Sequence, residues 1–547
     1  MVSLLYFLKT AAVFGPSLVQ AHYGYNKSNS KLPLLMEATM EELAAGLQAK
    51  LFTSVDLVNA YIDRILKMNT TLHMVVELNP DALAIAAKLD KERTCGKVRG
   101  PLHGLPILIK NNIATFDEMN NTAGSYSLLG AKVPRDATVA HKLRESGAII
   151  LGKTNLSQWA NFRSSNSSNG WSAHGGQVYG AYYPGQDPSG SSSGSAVASS
   201  LGLAVASLGT ETDGSIVSPS EINNLVGIKP TVGLTSRALV IPISEHQDTV
   251  GPMARTVKDA AYLLQAIAGP DQYDNYTSAI PFNGTLPDYV SACKMDSLVG
   301  KRIGVPRNAV GSRDAVSAPV LDAFEVALGI LEEAGAIIVD NANYTAWDEY
   351  QNSSAEGFVL DADFVVNLAS YLAQLTYNPN NVTSLADVSN FTHRFRPEDY
   401  PDRDTAVWDE SLALNFTQSS PEFWAYYQED LFLGGSGGLL GALDAYNLDA
   451  VVLPTRTASG TSAIIGGPIV TVPLGAYPAN TTVQTNSRGD LNATAPGIPF
   501  GLAFAGRLWT EESLIGFAYA YEQRSGVREK VKTYVTPTTE LVDVIKW

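Results

Sequence analysis

The chain has 547 residues, enough for one large domain or two ordinary ones. Hydrophobic residues make up 45% and charged residues 17%, a balance that fits a large packed core and excludes a disordered chain. The net charge is −16 and no basic run offsets it, which argues against a nucleic-acid partner.

Residues 1–21 read as a secretory signal: Lys9 is the only charge, the apolar run Ala11 to Val19 follows, and Val19-Gln20-Ala21 is a small-residue cleavage site. That run is too short to span a bilayer as a helix, so no stable membrane span is expected. The expected location is extracellular. Sequons agree with it, including those at Asn26, Asn69, Asn275, Asn283, Asn343, Asn352, Asn381, Asn390, Asn415, Asn480 and Asn492. Asn155 also fits the triplet, but its apolar context predicts burial. Cys95 and Cys293 are the two cysteines, too few for a disulfide scaffold; one bridge or two separate thiols are both compatible with them. No CxxC, HExxH or His/Cys cluster occurs, so no metal is expected.

After a polar entry over 22–35, Thr39 and Glu42 have the spacing of a capping box and start a helix. A second helix begins near Ser54, with Leu57, Tyr61 and Ile65 on one face. A third runs from Ala82 to Leu89. Pro106 to Ile109 is a short buried strand closed by Lys110, which taken alone reads as a lysine reaching out to solvent. Gly147 to Thr154 matches the phosphate-loop pattern literally, yet the residues between its glycines are themselves strand-like, so nucleotide binding is excluded.

Residues 185–230 organise the rest. Two clusters of small and hydroxyl residues, Ser189 to Ser195 (SGSSSGS) and Thr210 to Ser215 (TETDGS), bracket an apolar small-residue segment. Either cluster alone would read as a flexible loop; bracketing a segment that must pack, they do not. A helix is expected to start at Pro219 or Ser220. Further strands are expected at 302–305, 336–339, 450–453, 464–474 and 498–505, and helices at 257–268, 318–334 and 514–523. This alternation predicts an α/β fold with a largely parallel or mixed sheet. Residues 341–435, rich in Asn, Asp and Tyr, read as a peripheral helical insert forming a lid or wall. Its Tyr350, Tyr377, Trp408 and Trp424 read as core-packing side chains.

A serine hydroxyl needs a base before it is a nucleophile at neutral pH. None of the seven histidines has an obvious catalytic setting, although His103 and His246 lie near the motifs. A lysine is the alternative base, provided burial lowers its pKa from ~10.4 by roughly 3 to 5 units. Lys110, at the end of an apolar strand, suits that role. Lys110, Ser191 and Ser215 then form a proton line that activates Ser215. The backbone N–H groups of Thr212, Asp213, Gly214 and Ser215 converge on a developing oxyanion.

The segments GPLHGLPILIKNNIAT, LGKTNLSQWANFR, DPSGSSSGSAVA, GTETDGSIVSPS, NLVGIKPTVGLTSR and DTVGPMARTVKDAAYLL carry a resemblance. The chain resembles the amidase signature family over about residues 55–525, and with its leader a secreted, fungal-type member. The resemblance implies one large domain over 22–547, a central mixed sheet flanked by helices on both faces, and a motif-bearing core at about 55–340 and 445–525. It also implies hydrolysis of a linear, non-peptide carboxylic amide through an acyl-enzyme, with no cofactor and a small-molecule amide as partner. The triad would be Lys110, Ser191 (preceded by a cis peptide bond) and the nucleophile Ser215. The chain departs from the family pattern at Ser193, where Gly is usual, and at Glu211, Asp213 and Val217, where Asp, Gly and Arg are usual. Two carboxylates beside an oxyanion site would oppose its charge unless turned away or paired.

Two other functions compete. Gly190 to Gly194 matches G-x-S-x-G, and His174-Gly175-Gly176 matches an oxyanion motif; an α/β-hydrolase esterase would use Ser192 with a downstream histidine such as His393. A catalytically silent secreted binding glycoprotein would keep the fold without the chemistry. Neither the particular amide nor the oligomeric state is encoded in any pattern found.

Overall fold

The expected apolar runs form strands of one sheet. The computed structural model describes residues 32–545 apart from 313, 315 and 316, so the leader and Asn26 lie outside the described residues. The strands are β1 (Val75–Leu78), β2 (Pro106–Lys110), β3 (Ile149–Thr154), β4 (Ala206–Glu211), β5 (Val226–Lys229), β6 (Thr249–Ala254), β7 (Arg302–Val305), β8 (Ile337–Asp340), β9 (Ala450–Pro454), β10 (Ile469–Ala476) and β11 (Pro499–Ala505). They make one 11-stranded sheet in the order β1-β3-β2-β4-β6-β5-β10-β11-β9-β7-β8.

The sheet is mixed. β3, β2 and β4 run parallel, as do β9, β7 and β8; the strands between them pair antiparallel. Every residue of β2, β3, β4 and β6 is buried, as expected where helices cover both faces. Parallel pairing of β2 with β4 brings their carboxyl ends side by side, with Ile109 opposite Leu208. In open α/β sheets such strand ends are where sites form.

The segment between the two hydroxyl clusters becomes the helix Ser193–Ser200, all eight residues buried. Small side chains let it press on its neighbours: a methyl on Gly194 would lie 2.3 Å from the Met74 carbonyl oxygen. The insert contains the helices Trp347–Asn352, Ala355–Leu372, Leu385–Arg394, Ala406–Ala413 and Pro421–Gly434, with no strand among its described residues.

Boundaries differ from expectation in instructive ways. The Thr39 capping box is present, and so is one at Thr53 with Asp56. The helix expected from Pro219 or Ser220 begins earlier, at Val217, because the Glu211 carboxylate accepts from the Ile216 and Val217 N–H groups at 2.6 and 2.9 Å. β3 occupies the false phosphate loop, and Lys153 is spent inside the protein on the Ile113 carbonyl and the Asn121 side chain, at 2.5 and 2.7 Å. Cys95 and Cys293 are separate thiols. No described helix is long and apolar enough to cross a membrane.

Candidate active site

Lys110 does not reach out to solvent: it is buried, because β2 ends inside the sheet with β3 and β4 on either side. Its Nζ lies 2.8 Å from Ser191 Oγ, 2.8 Å from Thr210 Oγ1 and 3.1 Å from the Thr210 carbonyl oxygen. Burial pushes its pKa down to about 7, against the upward pull of the Asp248 and Glu211 carboxylates. A neutral amine has two N–H groups and one lone pair. The Thr210 carbonyl can only accept, and Thr210 Oγ1 accepts also from Asn112 Nδ2 at 3.0 Å. With both N–H groups donated to Thr210, the lone pair is left for the Ser191 O–H.

Ser191 follows a cis Gly190–Ser191 peptide bond, the arrangement that the family resemblance implies. Its neighbour Ser192 fastens the first cluster to the second. The Ser192 N–H donates to the Ser215 carbonyl at 3.2 Å, and its hydroxyl donates to the Thr210 carbonyl at 3.0 Å. Gly209 makes room for this, since a methyl there would lie 2.8 Å from both Ser192 Oγ and Met253 Sδ.

Ser215 is 8% exposed, and its hydroxyl hydrogen-bonds to no protein group among the described residues. Lys110 and Ser191 are therefore joined directly, whereas Ser191 and Ser215 are tied through the backbone of Ser192 and not hydroxyl to hydroxyl. Catalytic hydrogen bonds are commonly long before substrate binds. The N–H groups of Thr212, Asp213, Gly214 and Ser215 donate to no other protein group among the described residues. The left-handed turn that frees them falls on Gly214, at φ 76°, and not on Asp213.

The two carboxylates of this loop behave differently. Glu211 is turned away, holding the start of the next helix; burial raises its pKa, against the Lys229 charge. Asp213 is exposed as a residue, yet desolvation of its carboxyl raises its pKa, against the Ser459 hydroxyl and Lys229. Asp248 braces the loop from behind: it accepts from Thr212 Oγ1 at 2.6 Å and from the Ile243 and Ser244 N–H groups at 2.8 and 3.2 Å.

The esterase constellation does not assemble. The Ser192 hydroxyl is consumed by Thr210, while His393 lies exposed on the insert, bonded to Thr405 Oγ1 at 2.9 Å. His174 and Gly175 lie in the turn between two short strands, Trp171–Ser172 and Gly176–Gln177, and Gly176 pairs with Ser172. His103 is buried against the Leu89 carbonyl, and His246 bonds Asp363 at 2.7 Å. Of the insert aromatics, Trp408 is core; Tyr377 and Trp424 are exposed, and Tyr350 stands beside the Asp213 loop. From the sequence alone Thr210 and Asp248 carry no role of their own, although each opens a motif, TETDGS and DTVGPMARTVKDAAYLL, and that position was a usable signal for both.

The family model described as Amidase matches residues 56–515, and the chain belongs to that family. A protein of Arthroderma benhamiae named "Putative amidase" is 53% identical over 538 residues, 94% of this chain and 90% of its own. The solved structure of native peptide amidase from Stenotrophomonas maltophilia is 38% identical and superposes with a TM-score of 0.81, over 91% of this chain and 99% of that one. An amidase family protein from Bacillus anthracis is 32% identical, with a TM-score of 0.79 over 91% and 93% of the two chains.

Proposed function

We propose that the protein hydrolyses a linear carboxylic amide through a Ser215 acyl-enzyme, with Lys110 as base and Ser191 as the relay between them. The contact of the buried Lys110 amine with Ser191 Oγ, at 2.8 Å, carries this reading. Neutral Lys110 takes the Ser191 proton as Ser191 takes that of Ser215. Ser215 Oγ attacks the amide carbon, and the unoccupied N–H groups of 212–215 receive the oxyanion. The proton returns through Ser191 to the leaving nitrogen, the C–N bond breaks, and water repeats the sequence to release the acid. No step needs a cofactor. The similarity to a peptide amidase supports a small amide as substrate and leaves room for peptide-derived amides beside the non-peptide class expected from the sequence.

The test is hydrolysis of an amide panel and labelling by a fluorophosphonate. Ser215→Ala is expected to lose roughly 10⁴-fold or more in kcat and all labelling. A Ser215→Ala protein as active as wild type, or a wild type that neither labels nor hydrolyses, overturns the reading; the latter result would favour a silent binding protein.

We infer further that the protein is secreted and glycosylated. Besides the leader, the asparagines of eight sequons are exposed, at 166, 275, 283, 352, 381, 390, 415 and 480, whereas Asn155 is buried and bonded on both sides of its amide. Recovery of the protein from culture medium, with a mass that falls on enzymatic removal of N-glycans, is the expected result. Retention in the cell without glycans would refute it.

A further inference from the structure

Three carboxyls that no catalytic step uses gather near Ser215 as an acidic wall: the exposed Asp213 from the core and, from the insert, the half-buried Glu356 and the buried Asp430. Geometry brings them together by two routes. Thr212 is bonded to Asp248, and the adjacent Gln247 donates to Glu356 Oε1 at 2.8 Å, which holds the insert carboxyl against the Asp213 loop. From the other side, the helix Pro421–Gly434 packs on the short helix Ser459–Ala463: a methyl on Gly434 would lie 2.6 Å from the Thr461 carbonyl oxygen. Asp430, one turn before Gly434, shares that face. Ser459 faces Asp213, and Gly460 abuts the Tyr350 hydroxyl, where a methyl would collide with it.

None of the three carboxyls has a salt-bridge partner among the described residues. The cation acting on Asp213 is Lys229, whose Nζ is spent on the Gly467 carbonyl at 2.6 Å. Asp430 is 2% exposed, and its Oδ2 is sealed from solvent with no hydrogen-bond partner. A buried acceptor without a donor costs roughly 1 to 3 kcal/mol, so this wall is incomplete as it stands. The missing component is a donor of positive charge. A metal ion fits poorly, because no three described His, Cys, Asp or Glu side chains converge closely enough to hold one.

We propose that this wall receives a cationic group of the substrate, an ammonium or guanidinium, so that the preferred amides carry a positive charge within a side chain's length of the scissile bond. The inference rests on the amide-hydrolase reading and names its substrate class. A bound cation between Asp213 and Glu356 also removes the repulsion that Asp213 would otherwise exert on the oxyanion. Burial and the Asp213 charge push Glu356 up to about 8, and burial with the Glu429 charge pushes Asp430 up to about 7. Glu356 is then largely protonated at neutral pH and Asp430 about half protonated, and binding a cation discharges protons from them.

The experiment compares Nα-acetyl-lysinamide with its uncharged counterpart Nα-acetyl-norleucinamide. Wild type is expected to favour the cationic amide in kcat/KM by about tenfold or more, the worth of one charge-assisted contact. In Glu356→Gln and in Asp430→Asn the ratio is expected to fall toward one. Being a ratio, it is independent of the folded fraction. A wild-type ratio near one, or variants that lower both substrates equally, overturns the proposal. Calorimetry on Ser215→Ala separates this inference from the hydrolase reading. Tighter binding of the cationic amide, with a buffer-dependent heat at pH 7 from released protons, supports the wall even if wild type cuts neither amide. Equal binding of the two overturns it even if both are cut.

Discussion

On the sheet side of the cleft, Lys110, Ser191 and Ser192 are held mainly by the end of one strand. Thr210 alone supplies the amine with two contacts and Ser192 with two more. On the insert side the fastenings are charged side chains that reach across the chain. Glu398, fully buried, accepts from Ser125 Oγ, the Tyr126 N–H, Gln158 Nε2 and Arg163 Nη1, at 2.7, 2.7, 2.5 and 3.2 Å. Asp363 likewise gathers Ser244, His246 and Gln418 at 2.5 to 2.7 Å. The first construction leaves its side chains little freedom, since they are bonded to a strand end inside the sheet. The second attaches a wall whose position depends on a few ion pairs. On the proposed mechanism, bond breaking belongs to the rigid side, and selection of what enters to the attached side.

The largest expected effect tests the rigid side. Lys110→Met removes the base and should lower kcat roughly 10³-fold, within the range for losing general-base help, at little cost in substrate affinity. In wild type, only neutral Lys110 is active, so kcat/KM should rise with pH through about 7 as a one-proton step. Stability takes a definite sign too. The folded pKa lies below the unfolded value of 10.5, so holding Lys110 in the fold costs most below pH 7, and the cost disappears as pH rises toward 10.5. Lys110→Met should therefore gain on wild type in denaturant midpoint between pH 10 and 7, then hold that gain. A flat activity profile across pH 6 to 8 would remove Lys110 as the base.

Next comes the attachment. Glu398→Ala leaves the Arg163 guanidinium buried beside unpaired donors and should cost about 3 to 5 kcal/mol in urea unfolding. A loss under 1 kcal/mol would mean that the insert is held by its apolar contacts instead. The smallest effect belongs to Gly209→Ala. The added methyl must displace Ser192 or Met253, at about 1 to 3 kcal/mol, and should lower kcat without changing the preference between charged and neutral amides. A change in preference would show that the two sides are not separable.

The triad candidates, the strands and the capping box were legible because each depends on residues close in sequence: an apolar run, a hydroxyl cluster, a Thr-x-x-Glu spacing. What escaped depends on distance along the chain. Arg163 and Glu398 are 235 positions apart, and nothing near either announces the other. The sheet order places β6 between β4 and β5, which no local period encodes. The helix start at Val217 departs from the expected Pro219 or Ser220 for the same reason on a smaller scale, since its cap comes from Glu211, outside the usual capping positions. The exposed Asp213 was legible as an anomaly; that Glu356 and Asp430 stand opposite it was not.

Thr210 has one further implication. Because its carbonyl, hydroxyl and amide together set the spacing of amine and hydroxyls, the sheet works as a jig that is assembled before any ligand arrives. Residues 341–435 could then diverge, or be exchanged for those of a relative, without retuning the proton path. New specificities in such a scaffold would come from grafting walls and leaving the strand end alone.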